Sequence, residues 1–118
     1  MGYANFADEL AQQETERGIC FDTVIVATAT GSTQAGMVTG FKAQDKPRRI
    51  VGIDTACNPE MTCAAVTKIA RATAALIGLN DAIEDDDVII EPRFAGPAYG
   101  VPDDETIAAI RTAASLEA

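Results

Sequence analysis

The sequence predicts an α/β fold, a mostly parallel sheet in three layers with helices on both of its faces. Short β-branched apolar runs alternate with segments of helical periodicity in the order helix, strand, helix, strand, helix, strand, helix. The 118 residues suit one ordinary domain, so 1–118 reads as a single domain with one core. Hydrophobic residues make up 47% and charged residues 23%, the balance of a packed protein rather than a disordered one. Each strand-to-strand crossover is expected to be right-handed.

The first seventeen residues read as a helix, since Tyr3, Phe6 and Leu10 recur at helical spacing while Asp8, Glu9, Gln12 and Glu16 fall elsewhere on the wheel. Gly18 is placed to end it. Phe21 to Thr28 is a β-branched run without charge after Asp22, as expected for a strand covered on both faces. A second strand, Arg48 to Asp54, follows a turn-like stretch around Asp45, Lys46 and Pro47. Asn58 before Pro59 makes an N-cap with proline at the first helical position, and the helix runs on to Gly78. Met61, Ala65, Ile69, Ala72 and Leu76 are expected to share its inner face, opposite Glu60, Thr67 and Arg71. Val88 to Ile90 forms a short third strand ended by Pro92, and the acidic run Glu84 to Asp87 ahead of it reads as a solvated loop, its spacing matching no calcium loop. Asp103 and Glu105 open a last helix with Ile107, Ile110 and Ala114 inward.

Nine basic side chains against eighteen acidic ones give a net charge of −9, which repels phosphate backbones and anionic membranes, so neither nucleic acid nor membrane is expected as a partner. Histidine is absent, which removes His-based triads, His metal sites and the usual near-neutral proton shuttle. No metal site is expected. Cys20, Cys57 and Cys63 are an odd set without CxxC spacing and read as thiols of a reducing cytosol. The opening MGYANFADELAQQ has neither a basic n-region nor an apolar h-region, and the expectation is a soluble, cytoplasmic protein.

Ligands of open α/β sheets gather beyond the carboxyl ends of the strands, where this chain places ATGSTQAG between its first strand and a helix. Gly31 lets backbone approach an anion, Thr30, Ser32 and Thr33 carry hydroxyls, and the helix starting near Gln34 aims free N–H groups the same way. The stretch is neither a Walker A loop nor GxGxxG. On the residues alone, a phosphate cradle and a plain strand-to-helix turn both stay open. Tyr99, set between Gly96-Pro97 and Gly100, either holds a phenol over a ligand or plugs the surface. Cys57 lies near a strand end and a helix start, a place that can lower a thiol's pKa, while Cys63 reads as helix packing.

VIVATATGSTQAGMVTGF, RRIVGIDTACNPEMT, TKIARATAALIGL and PRFAGPAYGVPDDETIAAIR resemble, in order and spacing, part of the large domain of the 1-aminocyclopropane-1-carboxylate deaminases, its central to C-terminal portion. D-cysteine desulfhydrases are close relatives, and both belong to the tryptophan-synthase-β-like pyridoxal-phosphate enzymes. The resemblance covers essentially all 118 residues, and the pairing of GSTQAG with a GPxYG loop is its most specific part. It implies a partial fold of that type, pyridoxal phosphate as cofactor, a small amino acid as substrate and a homo-oligomer. Ala29, Thr30, Gly31, Ser32 and Thr33 match the loop that holds the cofactor phosphate, and Tyr99 matches the active-site tyrosine beside cofactor and substrate. Ala98 stands where a glutamate is common. The chain corresponds to roughly a third of a family member, without the segment bearing the Schiff-base lysine, and Lys42, Lys46 and Lys68 are poor substitutes. The expectation is a fragment or truncated relative of a deaminase, of hydrolase or lyase type, that opens the cyclopropane amino acid to 2-oxobutanoate and ammonia when whole and is inactive alone. The alternative is a stand-alone non-catalytic domain that binds a small phosphorylated ligand or assembles with itself.

Overall fold

The structure, a computed structural model, describes residues 2–44, 48–81 and 83–117. The turn expected around Asp45, Lys46 and Pro47 lies outside the described residues. The elements follow the expected order: α1 (Gly2–Arg17), β1 (Thr23–Thr28), α2 (Ser32–Lys42), β2 (Arg49–Asp54), α3 (Pro59–Ile77), β3 (Ile89–Glu91) and α4 (Asp104–Leu116). The three strands form one parallel sheet in the order β1-β2-β3, with Val24 beside Ile50, Thr28 beside Asp54, and Gly52 beside Ile90. This is the α/β class read from the sequence, a parallel sheet flanked by helices.

Strand alternation decides where the core lies. Val24 and Val26 of β1, Ile50 of β2 and Ile90 of β3 join one cluster with Val38 and Phe41 of α2 and with Val66, Ala70 and Ala74 of α3. Each aliphatic side chain fully buried there contributes about 1.5–3 kcal/mol. α1 reaches this core through α2, where Gly36 and Gly40 face it. A Cβ on Gly36 would lie 2.6 Å from the Tyr3 Cβ, so only glycine allows that approach. Phe6 and Phe41 meet edge to face at 6.2 Å. Thr39 bonds both Ala35 O and Ala70 O and so joins α2 to α3.

The ends of α3 are those the sequence specifies: Asn58 Oδ1 accepts the Met61 N–H at 3.1 Å, and Gly78 closes the helix in the left-handed conformation. Its inner face is not. Thr62, Val66, Thr67, Ala70 and Ala74 point inward, whereas Met61 and Leu76 are exposed, Leu76 at 77%. Threonine and alanine take the inner positions because α3 lies close against α2, while the larger side chains project outward. Two further expectations are corrected. β1 is covered on one face, its Ile25 being 69% exposed, and α4 buries none of its residues, Ile110 included.

The acidic run folds as a single 3-10 turn, Asp85–Asp87, tied down by two cations. Lys42 Nζ donates to Asp87 at 2.9 Å and Arg71 to Asp85 at 3.0 Å. One buried ion pair has no local signature in the sequence, its members lying 34 residues apart. Glu14 and Arg48 have side chains 2% and 1% exposed, joined by two bonds of 2.5 and 2.6 Å. Glu14 also accepts the Phe21 N–H, so this pair fastens the end of α1 to the entrances of β1 and β2. The bond from Glu14 raises the pKa of the Arg48 guanidinium.

Candidate functional site

β1 ends at Thr28 and the chain turns through Ala29 and Thr30 into Gly31, the N-cap of α2, at φ 85°. That conformation favours glycine, and a Cβ there would also stand 2.9 Å from the Val66 Cγ2. The first helical bond of α2 is Ala35 N–H to Gly31 O at 2.9 Å, and no side chain caps the end. The N–H groups of Ser32, Thr33 and Gln34 are therefore the helix's open donors, at its positive dipole end. Among the described residues the hydroxyls of Thr30, Ser32 and Thr33 make no hydrogen bond.

A cavity of about 530 Å³ opens at this point, lined by Ala27 to Gly31, Thr33, Gln34, Thr55, Tyr99 and Gly100. The structure thus brings together Ala29, Thr30, Gly31, Thr33 and Tyr99. Ser32 is exposed and contributes no lining surface. Tyr99 enters from a turn in which Val101 N–H bonds Ala98 O at 3.1 Å and Gly100 takes φ 76°, the third position of a type II turn. The Cys57 thiol donates to Gly96 O at 3.3 Å and tethers that loop to the segment after β2. The phenol remains 75% exposed, on the rim.

The far wall begins at Thr55, whose N–H and hydroxyl both donate to Thr28 O, at 2.9 and 3.1 Å. Beside it Asp54 is fully buried, its Oδ1 accepting Thr62 Oγ1 and Ala56 N–H while Oδ2 has no partner among the described residues. Gln34 forms the floor. Its Oε1 accepts Thr28 Oγ1, and its Nε2 donates to Ile89 O and Ile50 O. Sequence reasoning singled out neither Gln34 nor Thr55. The available signals were an amide one helical turn ahead of Val38 on the core side of α2, and a glycine, Gly52, inside an otherwise β-branched strand.

Among the described residues no charged side chain lines this cavity. Backbone N–H groups, a dipole and hydroxyls are the unengaged donors it offers among the described residues, a set that fits the phosphate of a small cofactor. A second cavity, about 430 Å³, lies at the amino ends of β2 and β3, with Lys42, Arg48 and Arg49 facing Asp81, Asp86 and Asp87. Lys42 and Arg48 are already held there by Asp87 and Glu14, which leaves Arg49 as the lining cation without an ion pair among the described residues, facing three aspartates.

The family model of the pyridoxal-phosphate dependent enzymes matches residues 1–118. The chain is 48% identical over 117 residues to the 1-aminocyclopropane-1-carboxylate deaminase of Burkholderia ambifaria (strain MC40-6). Identity is 49% to that of Burkholderia vietnamiensis and 46% to that of Variovorax paradoxus (strain S110). In each case 99% of this chain is covered and 35% of the relative, so the chain spans about a third of the length of these curated relatives.

Proposed function

This chain belongs to the pyridoxal-phosphate dependent enzymes, and from that premise we propose that it is the cofactor-phosphate-binding part of a 1-aminocyclopropane-1-carboxylate deaminase. The observation that carries the proposal is the uncapped start of α2, which opens into a cavity that Tyr99 also lines. In this reading 1–118 is one piece of the large cofactor-binding domain. Ala29, Thr30, Gly31, Ser32 and Thr33 seat the phosphate: the first-turn N–H groups and the Thr30 and Thr33 hydroxyls donate to its oxygens, and Gly31 keeps the backbone within reach.

Bound pyridoxal phosphate supplies an electron sink for charge developing on the substrate. Tyr99 stands on the cavity rim, where its phenolic oxygen can hold or pass a proton at the substrate. The lysine that would bond the cofactor aldehyde lies outside this chain. Lys42 supports that reading by being engaged with Asp87 at the opposite end of the sheet, and Lys68 by facing outward from α3. Lys46 lies outside the described residues. The chain alone is accordingly inactive, and activity needs further polypeptide to supply the amine. Exposed Ile25, Leu76 and Phe94 favour burial against such polypeptide or a second copy in a cytoplasmic oligomer. D-cysteine desulfhydrase activity is the neighbouring alternative for the whole enzyme, Ala98 leaving the substrate side of the tyrosine loop small.

Titration of the purified chain with pyridoxal phosphate tests this. Weak, saturable binding is expected, without a borohydride-trapped lysine adduct, and lost in Gly31→Val. Equal binding by Gly31→Val contradicts the assignment of the loop. A trapped adduct, or turnover of the cyclopropane amino acid, contradicts the claim that the reactive amine lies elsewhere.

A further inference from the structure

Among the described residues Gln34 is the only fully buried amide side chain, 0% exposed, and it touches all three strands. Its Oε1 accepts from Thr28 Oγ1 at 2.9 Å, where β1 ends. Its Nε2 donates to Ile89 O of β3 at 2.9 Å and to Ile50 O of β2 at 3.4 Å. An amide buried at this depth is costly unless its donors and acceptor are engaged, and here they are. The space it occupies is kept by Gly52, where any Cβ would overlap the carboxamide. The same residue is third in α2, so its backbone N–H is one of the open donors, and its side chain forms part of the cavity floor.

We propose that Gln34 is a positioning residue for the phosphate seat: clamped between the strands with Gly52 beneath it, its carboxamide fixes the first turn of α2 so that its N–H groups converge on one anion. This rests on the reading of Ala29 to Thr33 as the phosphate loop. The clamp acts on direction rather than on charge. A helix start that can tilt against the sheet still has its dipole, but its three donors no longer meet the oxygens together, and preorganisation is lost. Thr28 and Thr55 extend the clamp, because Thr28 bonds Gln34 through its hydroxyl and Thr55 through its carbonyl.

The test compares pyridoxine 5′-phosphate with pyridoxine, two ligands that lack the aldehyde and differ only in the phosphate. Dissociation constants are measured on the chain, on Gln34→Met, on Gly52→Ala and on Gln34→Ala with and without Gly52→Ala, with melting temperature and circular dichroism alongside. The expected result is a loss of tenfold or more for the phosphate ester in Gln34→Met, with pyridoxine affinity and the folded spectrum unchanged. Gly52→Ala is expected to weaken the ester similarly in the native background and to add nothing once Gln34→Ala has emptied the space. That pairing decides the matter if Gln34→Met does not fold. Unchanged ester affinity in folded Gln34→Met, or equal losses for both ligands, overturns the positioning role while leaving the loop assignment intact. A native chain that does not favour the ester over pyridoxine overturns both.

Discussion

Gly31 carries more of the site than any other residue, because its φ of 85° and the 2.9 Å approach of Val66 to its absent Cβ act together. A side chain there meets about 1–2 kcal/mol of backbone strain before any overlap. Gly31→Val is therefore expected to lower the denaturation midpoint as well as to lose the phosphate ester. In the proposed reading Tyr99 serves chemistry rather than binding. Tyr99→Phe is expected to leave ester affinity within twofold, since the phenol lies on the rim, and to slow turnover tenfold or more in a whole enzyme carrying this segment, measured as 2-oxobutanoate release. The turns at Gly31 and Tyr99 were legible because glycine after a β-branched run and tyrosine between glycines are local signals. Gln34 was not, since its partners are carbonyls 16 and 55 residues away in the chain.

At the level of elements, the ends were legible and the faces less so. Asn58-Pro59 and Gly78 mark α3 at both ends through contacts within a few residues, and Asn58→Ala is expected to cost about 1 kcal/mol in urea unfolding. The inner face of α3 depends on how closely α2 approaches, and periodicity that ranks residues by size and hydrophobicity chose Met61 and Leu76 over Thr62 and Ala70. α4 behaves as a capped helix without a core contact. Asp103 accepts the hydroxyl and N–H of Thr106, which hold its carboxyl below the ordinary aspartate range. A lowered folded pKa means the cap stabilises fully above the ordinary value of about 3.9 and is lost as pH falls through the lowered one. Helical circular dichroism is expected to decline in acid below about pH 4 less steeply in Asp103→Asn than in the native chain. The Glu14–Arg48 pair stands at the same scale: Arg48→Met takes the buried guanidinium away from the Glu14 carboxylate and is expected to cost about 3–5 kcal/mol, read from the denaturant midpoint.

Across the whole molecule the helices leave part of the sheet open. Ile25 on β1, Leu76 on α3 and Phe94 after β3 are each more than half exposed. Sedimentation of the chain is expected to show concentration-dependent association, reduced by the double change Ile25→Lys and Leu76→Glu; a single monomeric species at every concentration would contradict it. The α/β class and element order were legible because each strand and helix carries its own period. Which surfaces stay open was not, because a strand buried on both faces in a larger assembly has the same sequence as one whose second cover lies elsewhere.

In the proposed reading the start of α2, and not the amino end of the sheet with Lys42, Arg48 and Arg49, receives the phosphate. Amide chemical shifts of isotope-labelled chain, followed during titration with pyridoxine 5′-phosphate, test it most directly. Saturable shifts are expected, greatest at Gly31, Ser32, Thr33 and Gln34, with smaller ones at Thr55 and Gly100. Shifts centred on Lys42, Arg48 and Arg49, with the α2 start unmoved, would contradict it.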